Sequence, residues 1–146
     1  MNIYISSDHA GFDLKEKIRS ALLQNPKYHL TDHGPKDTNS VDYPDYADLV
    51  CQSLKKDSNG FGILICGSGQ GMNIRANKYS FIRAALVYSD EIAKLSREHN
   101  NANVICIGAR FCSFEDADRW INLFLQTDFA GGRHQTRVAK LGCPTA

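Results

Sequence analysis

The order of elements legible in the sequence predicts an α/β fold: a three-layer sandwich with a five-stranded parallel sheet and helices on both faces. Two observations carry that expectation. Short β-rich runs alternate five times with segments of helical period, joined by short connections. One run, Phe61–Cys66, is apolar on both faces, as a strand at the centre of a parallel sheet has to be.

The elements follow in order. Ile3–Ser6 predicts the first strand and Phe12–Leu23 a helix, because Phe12, Leu14, Ile18, Leu22 and Leu23 recur at helical spacing. Tyr28–Thr31 predicts the second strand, closed by a turn at Gly34-Pro35. A helix starts near Pro44, whose missing N–H is not needed in a first turn, and runs to about Lys56. Asn59-Gly60 breaks the chain before Phe61–Cys66. A short helix over Gly71–Asn77, a strand over Ile82–Tyr88, a helix over Asp90–Glu98 and a strand over Val104–Gly108 come next. Phe114–Leu125 predicts a helix with Trp120, Ile121, Phe124 and Leu125 facing inward. After Gly131-Gly132 the segment from Arg133 to about Leu141 is helical in pattern. No repeat, linker or low-complexity tract interrupts the 146 residues, so 1–146 reads as one Rossmann-like or flavodoxin-like domain.

Composition narrows the partners. A net charge of +1 gives no global nucleic-acid footprint, and any anion must be held by a local cluster. The apolar stretches are strand-sized, too short to span a membrane. The start, MNIYISSDHAGF, lacks the basic region and apolar core of a secretory leader, so a cytoplasmic location is expected. Cysteines stand at 51, 66, 106, 112 and 143, an odd number with no zinc spacing, which fits free thiols in a reducing compartment and predicts no metal. His29 and His33 flank a strand end and read as surface histidines.

In parallel sheets ligands bind at the carboxyl ends of strands. Here those ends carry Ser7-Asp8-His9, Cys66–Gly71 and Gly108–Arg110. The loop after Cys66 is glycine-rich, yet a dinucleotide fingerprint fails because Met72 occupies the place of its last glycine. A phosphate-binding P-loop would close on Lys and a hydroxyl residue, and neither is present. What remains is a loop whose amides can face an anion, with a thiol at its start. That pairing suits a base removing a proton beside a carbonyl; a buried structural Cys before a tight turn is the competing reading.

Arg133 and Arg137 share a face if helical, with His134 beside them, so they form either a phosphate clamp or a solvated basic face. His99, near a helix end, serves as proton donor or acceptor or caps the helix. Asp8-His9 is likewise a catalytic pair or an N-cap.

Taken together, these segments resemble the ribose-5-phosphate isomerase type B family, which includes galactose-6-phosphate isomerase subunits. The resemblance runs from Ser7-Asp8-His9-Ala10-Gly11-Phe12 through Asp42-Tyr43-Pro44, Cys66-Gly67-Ser68-Gly69-Gln70-Gly71-Met72 and Ala76-Asn77-Lys78. It continues through Arg83-Ala84, Ser96-Arg97 with His99-Asn100, Gly108-Ala109-Arg110, and Gly132-Arg133-His134 with Arg137. It implies a cofactor-free and metal-free interconversion of D-ribose 5-phosphate and D-ribulose 5-phosphate through a cis-enediol, in the non-oxidative pentose phosphate pathway.

By the same resemblance Cys66 is the base and Ser68 helps move the proton between the two oxygens. The amides of Gly67, Gly69, Gln70 and Gly71 hold the enediolate. His99, with Asp8 across the site, opens the furanose ring. His9, Arg133 and Arg137 hold the phosphate, with His134 and Arg110 nearby, while Tyr43 and Asn100 contact the sugar. The site is implied to lie between two subunits of a homodimer, or of a dimer of dimers, with His99, Asn100 and Arg110 coming from the partner. A family branch with a Glu base at position 72 does not fit, since Met72 takes no proton. Two alternatives stay open: a six-carbon substrate such as allose or galactose 6-phosphate, and a phosphate-ligand module without catalysis.

Overall fold

The computed structural model describes residues 1–142; Cys143 lies outside the described residues. Five parallel strands, β1 (Asn2–Ser7), β2 (His29–Asp32), β3 (Phe61–Cys66), β4 (Ala84–Leu86) and β5 (Val104–Gly108), form one sheet in the order β2-β1-β3-β5-β4. β3 is central, as its two-sided apolar sequence requires. β5 is buried along its whole length and takes the inner place beside it. The fourth strand is shorter than its sequence run predicts. Upstream of Ala84 the Arg83 N–H turns to the Asn103 side chain at 2.8 Å, and β4 remains a three-residue, half-buried edge.

Six α-helices lie among the described residues: α1 (Phe12–Leu22), α2 (Tyr43–Lys56), α3 (Gln70–Ala76), α4 (Asp90–Glu98), α5 (Phe114–Gln126) and α6 (Arg133–Leu141). A 3₁₀ turn, Ala109–Phe111, follows β5 and has no counterpart in the sequence expectation. Alternation along each strand divides the core into two layers. Ile3, Ile5, Ile63, Ile65, Ile105 and Ile107 pack with residues of α1, α4 and α5. Leu64, Cys66, Val104 and Cys106 face the other way, against Ala47, Val50 and Leu54 of α2 and Met72 and Ala76 of α3. The helices therefore cover both faces, while α6 buries none of its residues.

The sheet reverses direction of growth between β1 and β3, since β2 lies outside β1 and the later strands lie beyond β3. In an open α/β sheet this switch opens a crevice at the carboxyl edge. Asp8 N–H reaches Ile65 O at 3.1 Å there, tying the residue after β1 directly to β3.

Candidate active site

At this switch point a cleft of about 300 Å³ is lined by Asp8, His9, Ala10, Tyr43, Cys66, Gly67, Ser68, Gly71 and Arg110. The Cys66 side chain, nearly buried at the end of β3, accepts a 3.2 Å hydrogen bond from Gly69 N–H. This donor stands where negative charge on sulfur would develop. Gln70 N–H similarly donates to Ser68 Oγ at 3.3 Å. Two of the amides expected to face an enediolate thus donate to the loop's own side chains.

The turn depends on two glycines. Gly69 has φ 76°, and a Cβ there would stand 2.5 Å from Leu86 Cδ1 and 2.9 Å from the Ile107 carbonyl carbon. A Cβ on Gly71 would stand 2.6 Å from the Tyr43 ring, so the missing side chain lets Tyr43 close one wall. Met72, by contrast, is fully buried in the core between sheet and helices. Its place is structural.

Asp8 Oδ1 accepts Gly11 N–H at 2.9 Å, so it closes the turn into α1 and lines the cleft at once. His9 Nδ1 accepts Val41 N–H at 3.3 Å. In the neutral ring that bond leaves the proton on Nε2 as a donor. Nothing in the sequence pointed to Val41, because a backbone donor from a distant loop leaves no residue-type signal.

Arg110 corrects one expectation. It was implied to come from a partner subunit, yet its own chain places it in the cleft. A Cβ on Gly67 would lie 2.9 Å from Arg110 Nη1, because the 3₁₀ turn after β5 folds back and donates Arg110 N–H to Gly67 O at 3.1 Å. His33 corrects another. It is half-buried, bonded to Ser53 Oγ at 2.8 Å and stacked on Tyr4, and burial pushes its pKa down against the opposing pull of Asp32.

The remaining expected residues gather elsewhere. His99 caps the end of α4, and its ring stacks on His134 of α6 with centroids 4.2 Å apart and planes at 14°. Partial burial pushes the His134 pKa down, and the positive charges of His99, Arg133 and Arg137 push it further. Arg133 and Arg137 are exposed on α6, and Asn100 lines a separate groove of about 650 Å³ with Tyr79, Arg83 and Leu141.

Topology fixes how these two clusters relate. α4 runs antiparallel to the strands and delivers His99 to the amino edge of the sheet, just before β5 begins. Gly62 pairs with Val104 at that edge, and Cys66 pairs with Gly108 at the other. Four residues of strand set the edges about 13 Å apart. Within one chain, the thiol cleft and the His99–His134 pair therefore sit at opposite ends of the sheet.

Comparison with known proteins gives this geometry a family. The chain matches the Ribose/Galactose Isomerase family over residues 3–141. It belongs to that family. A probable ribose-5-phosphate isomerase B of Mycoplasma genitalium is 46% identical over 143 residues, covering 96% of this chain and 93% of the relative. The crystal structure of a ribose 5-phosphate isomerase of Thermotoga maritima is 47% identical, with a TM-score of 0.93 over 97% of both chains. A ribose-5-phosphate isomerase B structure from Mycoplasma genitalium holds ribulose-5-phosphate; it is 43% identical, with a TM-score of 0.91 over 96% of this chain and 93% of that one. Fold and sequence of the Ribose/Galactose Isomerase family thus extend along nearly the full described chain. Among its described residues no group of three or more His, Cys, Asp and Glu side chains gathers as metal ligands would, and no helix is long and apolar enough to cross a membrane.

Proposed function

We propose that this chain is an aldose-ketose isomerase acting on D-ribose 5-phosphate and D-ribulose 5-phosphate through a cis-enediol. The observation that carries the reading is the Cys66 sulfur, held by Gly69 N–H inside a cleft that also presents His9 and Arg110. In the open-chain aldose the Cys66 thiolate takes the proton from C2, and the C2–H electrons form the enediolate as the aldehyde oxygen gains charge. Ser68 passes a proton between the two oxygens. The Cys66 thiol then returns its proton to C1, leaving the ketose. Opening the ring beforehand needs a separate acid-base group, and His99 is that group in the proposal.

The clusters at opposite sheet edges support a site assembled from two copies of the chain. One copy supplies Asp8, His9, Tyr43, Cys66–Gly71 and Arg110. The other supplies His99 and Asn100, with Arg133, Arg137 and His134 around the phosphate. The reading carries with it a cytoplasmic location and a place in the non-oxidative pentose phosphate pathway, both as parts of the proposal.

The test is direct. Pure protein is given ribose 5-phosphate, with allose and galactose 6-phosphates in parallel, and ketose formation is followed. Turnover of the pentose phosphate well above both hexose phosphates is expected. Preference for a hexose phosphate would move the substrate assignment, and no turnover of any of the three would leave a non-catalytic phosphate-binding module.

A further inference from the structure

The His99–His134 stack has no direct hydrogen bond to account for it, and both rings sit at the margins of their helices. His99 follows the last residue of α4, and His134 is the second residue of α6. Two segments therefore have to be held in register: the turn after α4 and the connection 127–132 that enters α6.

One side chain reaches both. Arg97 is only 8% exposed, and its Nη1 donates to Asn101 Oδ1 at 2.9 Å and to Ala102 O at 2.6 Å. Its Nε donates to Thr127 O at 3.1 Å, at the start of the connection. The guanidinium lies over the Phe61 ring, 4.9 Å from its centroid, and 5.7 Å from that of Phe124. None of the ion pairs among the described residues includes Arg97. A buried cation without a bound carboxylate costs solvation that a core contact alone does not require. Here its donors are used on a turn and a connection.

The turn itself is constrained. Asn101 holds φ 47°, a left-handed backbone at a non-glycine residue, and its carbonyl accepts Arg83 Nε at 2.8 Å. Ala130 N–H adds a second tie, to Glu98 O at 3.0 Å.

We propose that Arg97 is a positioning residue: its fork joins the 99–102 turn to the segment entering α6 and so holds His99 and His134 face to face. It touches no substrate and acts through the two histidines. Its kinetic consequence rests on the ring-opening role proposed for His99, whereas its geometric consequence does not.

The test separates the two. Arg97→Lys keeps the charge and much of the stem, but a single ammonium cannot span Asn101, Ala102 and Thr127 as a planar fork does. Asn101→Gly removes the Oδ1 acceptor together with the rest of the side chain and suits the left-handed backbone, so its fold is expected to be retained. In both variants the imidazole signals are followed by NMR through a pH titration, with ring-to-ring contacts read from cross-relaxation. Arg97→Lys is expected to lose the His99–His134 contact and bring His134 titration up toward that of an ordinary histidine. Asn101→Gly is expected to weaken the contact by less. The alkylation rate of Cys66, at the far edge, is expected to stay within twofold of wild type, while kcat on ribose 5-phosphate falls about tenfold in Arg97→Lys.

Unchanged ring contacts and unchanged His134 titration in both variants would overturn the assignment, as would a kcat loss with the stack intact. Separated rings with unchanged kcat would uphold the positioning role and remove His99 from the chemistry. Should Arg97→Lys not fold, Asn101→Gly decides on the same readouts.

Discussion

Cys51, Cys106 and Cys112 are thiols that their surroundings keep protonated. Burial, followed by the Asp48 charge, pushes Cys51 up to about 12. Burial is the first cause at Cys106 and at Cys112 as well, where Asp116 adds to it. A group whose pKa is raised stays neutral at ordinary pH, and the neutral thiol is a poor nucleophile. Cys66 stands in a cleft with an N–H donor on its sulfur. Iodoacetamide near pH 7.5 is therefore expected to label Cys66 ahead of Cys51, Cys106 and Cys112, and labelling of Cys66 is expected to abolish turnover in proportion. Bound ribose 5-phosphate should slow that labelling. Peptide mapping checks it, and label appearing first at Cys51 or Cys106 would contradict this account of the thiols. The sequence made Cys66 the candidate through its strand-end place. It could not separate the other cysteines, because burial depends on which strand face each occupies.

At the scale of elements, the β3 loop is what gives the thiol its setting, and Gly69 is its most constrained point. An alanine there adopts a left-handed backbone at a cost of about 1–2 kcal/mol. Its Cβ also meets Leu86 and the Ile107 backbone at distances no relaxed contact tolerates. Gly69→Ala is expected to lower Tm by a few degrees and to lower kcat by more than that stability loss explains. A calorimetric scan beside a rate measurement checks it, and wild-type kcat in the variant would show that the turn does not set the site.

The elements were also the most legible level. β3, α4 and β5 fall where apolar runs and helical spacing put them, at Phe61–Cys66, Asp90–Glu98 and Val104–Gly108. β4 is shorter than its run because sheet order, which local pattern does not carry, makes it an edge. Arg110 lines its own chain's cleft, against the expectation, for a related reason. Its position follows from a 3₁₀ turn, Ala109–Phe111, that no periodicity announces. The importance of Arg97 was hidden too, since an Arg within a polar helical stretch reads as solvated until its fork is seen on Asn101, Ala102 and Thr127.

At the scale of the whole molecule, the parallel sheet separates the two halves of the proposed site. Its carboxyl edge holds the thiol, and its amino edge holds the imidazole pair beside the arginines of α6. In the proposed dimer each of two copies donates one edge to the other's site, and a twofold axis builds two equal sites. That arrangement makes a sharp demand on mixed variants. Cys66→Ala alone removes the proposed base and Arg137→Ala alone removes part of the proposed phosphate clamp, so each pure protein is expected to have little activity. In the mixed dimer both lesions fall in one site, and the other site is intact. Unfolding and refolding the two variants together in equal amounts, then assaying ribose 5-phosphate, is predicted to restore about a quarter of the wild-type rate. A mixture no more active than its separate parts would contradict a site shared between two chains, and with it the central account of how this fold isomerises a sugar phosphate.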